Sequence, residues 1–343
     1  MKKCKVAVIG TGGIANGMHL PILKEQSNVE IVALCDRVKE RADTTAQKFG
    51  VSKVYYAYDE MLKTEGNEIE AVFVLTEPDA LFRAAVECLK YGKHVLIEKP
   101  MGVTSFQANS LRGHAIEQKK LLHVAYNRRF VPLVVEMVKQ MREITEINQV
   151  CGYFYKNSSA GFYGGSGSAF IYDVVHAIDL IRHIAGGDEN VTNVSTMESF
   201  DPELGIACGW HSTMRFKNGI DGVIGSSYRS GGRVHRFEIH GVGASAWINL
   251  GFGDESCDGK IICAGKSFSI ISAPANSKNQ YEYDGIKIAG SNKYRDYCGY
   301  RDEDIHFINK VLENPTETDI ARLNEDYSSM RLAEILLEGR VKS

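Results

Sequence analysis

The segment Val6-Ala-Val-Ile-Gly10-Thr-Gly12-Gly13-Ile-Ala15 constrains this chain more than any other. A short apolar run enters G-x-G-x-x-A, in which the first glycine takes a tight turn and the second lets backbone approach a pyrophosphate. The last small residue lets helix and strand pack closely. Free N–H groups at the start of the following helix then face the phosphates, so no lysine is needed there. Gly10, Thr11, Gly12, Gly13 and Ile14 are the expected cofactor-binding turn. Glycine turns after strands are common, and the motif takes its weight from the residues downstream of it.

Downstream, short apolar runs alternate with helical patterns. Lys5–Ile9, Glu30–Cys35, Ala71–Leu75, His94–Ile97 and Leu121–Ala125 read as buried strands. Between them, Arg37–Phe49 and Pro78–Tyr91 carry apolar residues every three or four positions and stop at Gly50 and Gly92. Alternating strands and helices predict a doubly wound parallel sheet of the Rossmann type over residues 1–125. Asp36 ends the second strand, where a carboxylate accepts hydrogen bonds from ribose hydroxyls. It opposes a 2′-phosphate that the adjacent Arg37 would attract, and the balance favours NAD slightly over NADP. Thr76 and Pro78, just past the third strand, complete the nucleotide candidates together with Glu98 and Lys99.

The texture changes after Asn127. Val150–Tyr155, Cys208–Phe216, Ile220–Tyr228, Arg233–His240 and Ser245–Leu250 read as strands, and Lys217-Asn-Gly219 is a hairpin signal. One helical segment, Ile171–Ile184, interrupts them, and Glu303–Leu312 and Asn324–Arg340 return to helix. Residues 126–343 are thus expected to form an α+β domain with an open-faced, mostly antiparallel sheet, its C-terminal helices free to pack back on the first domain. At 343 residues the chain exceeds the roughly 250–300 at which a single core stops growing. The segment 158–168, rich in Gly and Ser, is a candidate mobile loop.

Composition narrows the partners. Forty Lys and Arg against 43 Asp and Glu leave a formal charge of −3 with no block of like charge, which argues against nucleic acid and membrane surfaces and for a small molecule. Eight scattered cysteines include no C-x-x-C pair and read as reduced thiols, and no metal site is expected. The apolar run after Lys5 is too short for a signal segment, so the expected location is cytoplasmic.

Two further segments carry chemistry. Ile97-Glu98-Lys99-Pro100 ends a later strand of the same sheet, facing the crevice where such folds bind ligands. Proline restricts the backbone before it, and a lysine beside a cationic nicotinamide would titrate closer to neutrality. In Phe170-Ile-Tyr172-Asp173-Val-Val-His176-Ala-Ile-Asp179-Leu-Ile-Arg182-His183, a uniform helix puts Asp173, His176 and Asp179 on one polar side, with Val174, Ile178 and Ile181 as the core stripe. A histidine so flanked can take a hydroxyl proton. Each segment also has a plainer reading, as a surface lysine, a capping aspartate or a satisfied interface histidine.

Together these motifs, with Cys35-Asp36-Arg37, Gly92-Lys-His-Val-Leu-Ile-Glu98 and Ala125-Tyr-Asn-Arg128-Arg129-Phe130, resemble the glucose–fructose oxidoreductase / inositol dehydrogenase / rhizopine-catabolism (Gfo/Idh/MocA) family over essentially the whole chain. The resemblance implies NAD(P)-linked chemistry at a hydroxyl of a sugar, cyclitol or derivative, and a homodimer or homotetramer. By position, Lys99 is similar to the family's E-K-P lysine and His176 to its proton-accepting histidine. Many members place a helper aspartate where this chain has Tyr172, whereas MviM-like oxidoreductases have Asp at the position of Asp173. Lys99, His176 and Asp173 are the expected catalytic set; Lys99, Arg128, Lys156, Asn157, Asp173, His176 and Asp179 are the expected substrate contacts, with Tyr228, Arg229 and His235 behind them. The rivals are a non-catalytic dinucleotide or sugar sensor and an imine or tetrapyrrole reductase.

Overall fold

The computed structural model describes residues 2–159, 162, 168–187, 190–252, 256–264, 279–321 and 323–339. Two compact units emerge, Met1–Ala125 with Tyr300–Tyr327, and Tyr126–Gly299 with Ser328–Ser343.

The first unit holds a six-stranded parallel sheet in the order β3-β2-β1-β4-β5-β6, formed by β1 (Cys4–Ile9), β2 (Val29–Cys35), β3 (Lys53–Tyr55), β4 (Ala71–Val74), β5 (His94–Ile97) and β6 (Leu122–Val124). The order reverses between β1 and β4, which opens a crevice at their carboxyl ends. Helices α1 (Leu20–Glu25), α2 (Lys39–Phe49), α3 (Tyr58–Glu65), α4 (Pro78–Lys90) and α5 (Ser105–Glu117) make the crossovers. Val6, Val8, Leu34, Phe73 and Leu96 form the core, joined by Phe307, Ile308 and Val311 of a C-terminal helix, Tyr300–Leu312.

In the second unit, α6 (Pro132–Ile144) and α7 (Val175–Ala185) cover one face of an eight-stranded sheet. The strands are β7 (Ile147–Asn157), β8 (Val191–Phe200), β9 (Ala207–Phe216), β10 (Asp221–Ser227), β11 (Arg229–Gly241), β12 (Ala244–Leu250), β13 (Cys257–Cys263) and β14 (Gln280–Asp284). Their order is β14-β13-β12-β11-β7-β10-β9-β8, antiparallel except where β10 meets β7. Gly152, Phe237, Ile248 and Gly259 form one cross-strand row on the covered face. The glycines stand where helices come closest: a Cβ on Gly152 would lie 2.9 Å from Ile181, and one on Gly259 2.2 Å from Met137.

The fold class is the expected one, and the hairpin at Lys217–Gly219 joins β9 to β10 as expected. The expectation of one uniform helix over Ile171–Ile184 is corrected. Phe170–Val174 is a π-turn and only Val175–Ala185 is α-helical, so Asp173 does not follow the α-helical phase of His176 and Asp179. The Gly- and Ser-rich 158–168 segment falls largely outside the described residues, as does Arg340. No described helix is long and apolar enough to cross a membrane.

Candidate active site

At the end of β1, Gly10 has φ +92°, and a Cβ there would sit 2.6 Å from the Leu75 carbonyl oxygen, so only glycine makes this turn against β4. Gly12 and Gly13 face open space. The chain then enters a π-turn, Ala15–His19, that leads into α1 with no side-chain cap. Asp36 is buried and organises the turn: its Oδ2 accepts from the Thr11 amide at 2.8 Å and the Thr11 hydroxyl at 3.1 Å, and its Oδ1 accepts from the Val38 amide at 2.9 Å. A cavity of about 770 Å³ opens here, walled by Gly10, Gly12, Asp36, Arg37 and Thr76 among others. Thr76 Oγ1 is buried there with no partner among the described residues, a donor and acceptor left for a ligand. These residues fit a dinucleotide: a glycine turn with room beside it, a buried carboxylate and an unpartnered hydroxyl line the cavity.

Expected residues Thr11, Gly13, Ile14, Glu98 and Lys99 are outside that wall, and Pro78 opens α4 beside it. Arg41, Tyr56, Tyr58 and Arg83 line it without having been marked by any motif, since they come from helix and loop positions that only the crossovers bring together.

Glu98 is held from below. Its Oε2 accepts from the Lys99 amide at 3.1 Å, and its Oε1 lies 3.7 Å from Nε2 of the fully buried His19. His19 Nδ1 in turn lies 2.9 Å from Asp304. Burial alone would lower the His19 pKa, but Asp304 and Glu98 outweigh it and raise it to about 10, so the side chain is an imidazolium at neutral pH. Glu98 is largely withdrawn from solvent, which by itself favours its neutral form; hydrogen bonding and the charges of His19 and Lys99 reverse this and depress its pKa. His19 and Asp304 carry no motif and lie 285 positions apart, so nothing local announces the pair.

In the second unit, Asp173 Oδ2 accepts from the Tyr228 hydroxyl at 2.8 Å and pairs with the Lys156 ammonium. His176 is buried one turn further along, edge-on to the Tyr126 ring. Burial lowers the Lys156 pKa to about 8 despite the opposing pull of Asp173, with Arg233 and Arg128 adding repulsion. The deep burial of Tyr228, with Asp173 beside it, raises its pKa and keeps it a phenol.

Asp179, expected to meet substrate, is wholly buried: its Oδ2 accepts from Arg129 Nε at 2.8 Å, and its Oδ1 takes Arg129 Nη2 and, at 2.6 Å, the Ser329 hydroxyl. Arg182 adds a second cation at 3.8 Å. Arg128 lies between Phe252 and Phe154 with Nη1 on Asn127 Oδ1 at 2.9 Å. Asn157 ends β7 exposed, and Arg229 pairs with Asp201 at 2.7 Å. His235 is buried and stacked 3.8 Å above Phe154.

On the other face of the sheet, Cys151, Glu238 and His240 gather within 4.8 Å. His240 Nδ1 reaches Ser245 Oγ at 2.9 Å and Nε2 reaches Glu238 at 3.3 Å, while Cys151 stands opposite Glu238 on β7.

A glycine turn with a buried carboxylate beside it and a strand-end lysine in the first unit, and a buried histidine in the second, are the features of a class, the dinucleotide-dependent oxidoreductases. A family model for an oxidoreductase family with an NAD-binding Rossmann fold matches residues 4–126, and one for the GFO/IDH/MocA C-terminal domain matches residues 140–246. The chain belongs to the Gfo/Idh/MocA family, and it is an NAD(P)-dependent dehydrogenase or reductase. It is similar to the uncharacterized oxidoreductase ORF334 of Rhizobium meliloti, 26% identical over 86% of each chain. Similarity to myo-inositol 2-dehydrogenase of Thermotoga maritima is 25% over 69% of this chain and 72% of the relative. Among solved structures, the dehydrogenase MviM from Clostridium difficile shares the fold at TM-score 0.78 and 19% identity, covering 98% of this chain and 99% of that one. The 3-ketoreductase KijD10 from Actinomadura kijaniata, solved with NADP and TDP-benzene, does so at TM-score 0.79 and 18% identity, covering 99% and 98%.

Proposed function

We propose that this enzyme moves a hydride between a nicotinamide and the hydroxyl-bearing carbon of a sugar, cyclitol or sugar derivative. The observation that carries the reading is that Lys156 and Tyr228 meet on the Asp173 carboxylate, three residues before the buried His176, a set of donors and acceptors of the kind a polyol requires. The nicotinamide, when bound, supplies or receives the hydride. His176 is the group we assign to take the proton of the reacting hydroxyl, and Lys99, just past the end of β5, is a hydrogen-bond donor for substrate. Asp173 sets the proton positions on His176's side of the substrate through Lys156 and Tyr228. Arg128 and Asn157 remain candidate substrate contacts. The myo-inositol 2-dehydrogenase relative supports a cyclitol or sugar. Buried free thiols at all eight cysteines fit a reducing, cytoplasmic setting, and the sheet face away from α6 and α7 suits a homodimer or homotetramer.

The test is nicotinamide absorbance with NAD and NADP against inositols, aldoses, sugar phosphates and sugar nucleotides, run beside Lys99→Ala and His176→Ala. Turnover abolished by both substitutions supports the reading; tight cofactor binding with no turnover anywhere would point to a sensor.

A further inference from the structure

On the covered face of the second unit, three cationic side chains converge on two rings. Phe154 carries Lys156 Nζ at 4.9 Å and the Arg128 guanidinium at 5.5 Å from its centroid. Phe252 carries Arg128 at 4.6 Å and Arg233 at 5.2 Å. His235 lies against both rings, at 3.8 and 5.1 Å, and ties them into one cluster.

The backbone is bent to build it. Arg229 pairs with Asn157 and Val234 with Tyr155, so five steps along β11 oppose two along β7. The four residues Ser230–Arg233 stand opposite the single Lys156 as a bulge, and bulges of this kind re-aim side chains next to functional sites. Arg233 is half-buried, its Nε is buried without a hydrogen-bond partner, and among the described residues no carboxylate lies within ion-pair distance of it. Lys156, by contrast, has Asp173.

We propose that this cluster binds an anionic group of the substrate, a carboxylate or a phosphate, with Arg233 as its principal ligand and Lys156 and Arg128 supporting it. The inference rests on the oxidoreductase reading above and narrows its substrate from polyols at large to acidic ones.

Electrostatics agree with the geometry. Burial lowers the His235 pKa well below its usual range, and Arg128, Lys156 and Arg233 push the same way, so His235 stays neutral as an aromatic floor. Arg233, held against the Phe252 ring with no carboxylate partner among the described residues, carries a charge that an oxyanion would satisfy through charge-assisted, bidentate hydrogen bonds, with Lys156 and Arg128 adding positive potential beside it.

The test uses matched pairs with the NAD-loaded enzyme: glucuronate against glucose, glucose 6-phosphate against glucose, and myo-inositol 1-phosphate against myo-inositol. Turnover and calorimetric binding are both read for wild type, Arg233→Met and Arg233→Lys. We expect one charged member to exceed its neutral partner by about 100-fold in kcat/KM or affinity, the scale of a buried charge pair. Arg233→Met should cut that ratio by about 30-fold or more, and Arg233→Lys should recover much of it. The carboxylate and phosphate arms identify which oxyanion is bound. Equal handling of charged and neutral partners by the wild type overturns the proposal without any variant, as does a ratio that Arg233→Met leaves intact. Charged ligands bound through Arg233 but never turned over would keep the anion site and sink the dehydrogenase reading instead.

Discussion

Lys156 and Asp173 form an ion pair across the helix-covered face of the second unit, with the Tyr228 hydroxyl on the same carboxylate oxygen. The pair is tuned for titration near the working range, because burial brings Lys156 down to about 8. Above that value the ammonium is lost and Asp173 keeps only its phenolic donor from this pair of side chains. The alkaline limb of the kcat/KM profile is therefore expected near pH 8, and Lys156→Arg, which stays charged, should move it upward. A limb unchanged by Lys156→Arg would assign it to another group.

Asp179 has a structural task. Asp179→Asn leaves the partly buried Arg129 and the buried Arg182 beside a neutral amide, and breaking a buried pair in this way costs about 3–5 kcal/mol. Urea unfolding should show that loss. Unchanged stability with a raised KM would instead make Asp179 a substrate contact.

His19 predicts a pH dependence of stability. Its pKa rises from 6.5 to about 10 on folding, so the protonated form stabilises the fold fully below about pH 6.5, and this contribution is lost as pH climbs toward 10. Thermal melts of wild type and His19→Gln should differ most at pH 6.5 and converge by pH 10. A constant difference across that range would mean that His19 is neutral in the fold.

Cofactor choice turns on Asp36. Asp36→Asn keeps one acceptor oxygen, enough for only one of the Thr11 and Val38 amides, and removes the charge that repels a 2′-phosphate, while Arg37 and Arg41 still wall the cavity. The NADP-to-NAD ratio of kcat/KM should rise by about tenfold, about 1.4 kcal/mol for removing one repelling charge. An unchanged ratio would place the ribose elsewhere.

The local rules were legible wherever one element makes its own case. β1, β2, β4 and β5 announce themselves as apolar runs, because strands buried on both faces must be apolar throughout. Strand β8, Val191–Phe200, passed unread because it lies at the sheet's edge and carries few apolar residues. Helix α5 passed unread for want of an apolar stripe.

From its sequence alone this chain was bound to a dinucleotide turn at Gly10–Ala15, a carboxylate at Asp36, a lysine at position 99 and a histidine at position 176, because each belongs to a motif whose chemistry is local. Only the tertiary structure decided which charges meet. It joined His19 to Asp304 and Arg129 to Asp179, set Asp173 in a π-turn facing Lys156 and Tyr228, and gathered Arg128, Lys156 and Arg233 on two shared rings. Such pairings depend on strand register and helix phase, and a shift of one residue in either moves a side chain to another face.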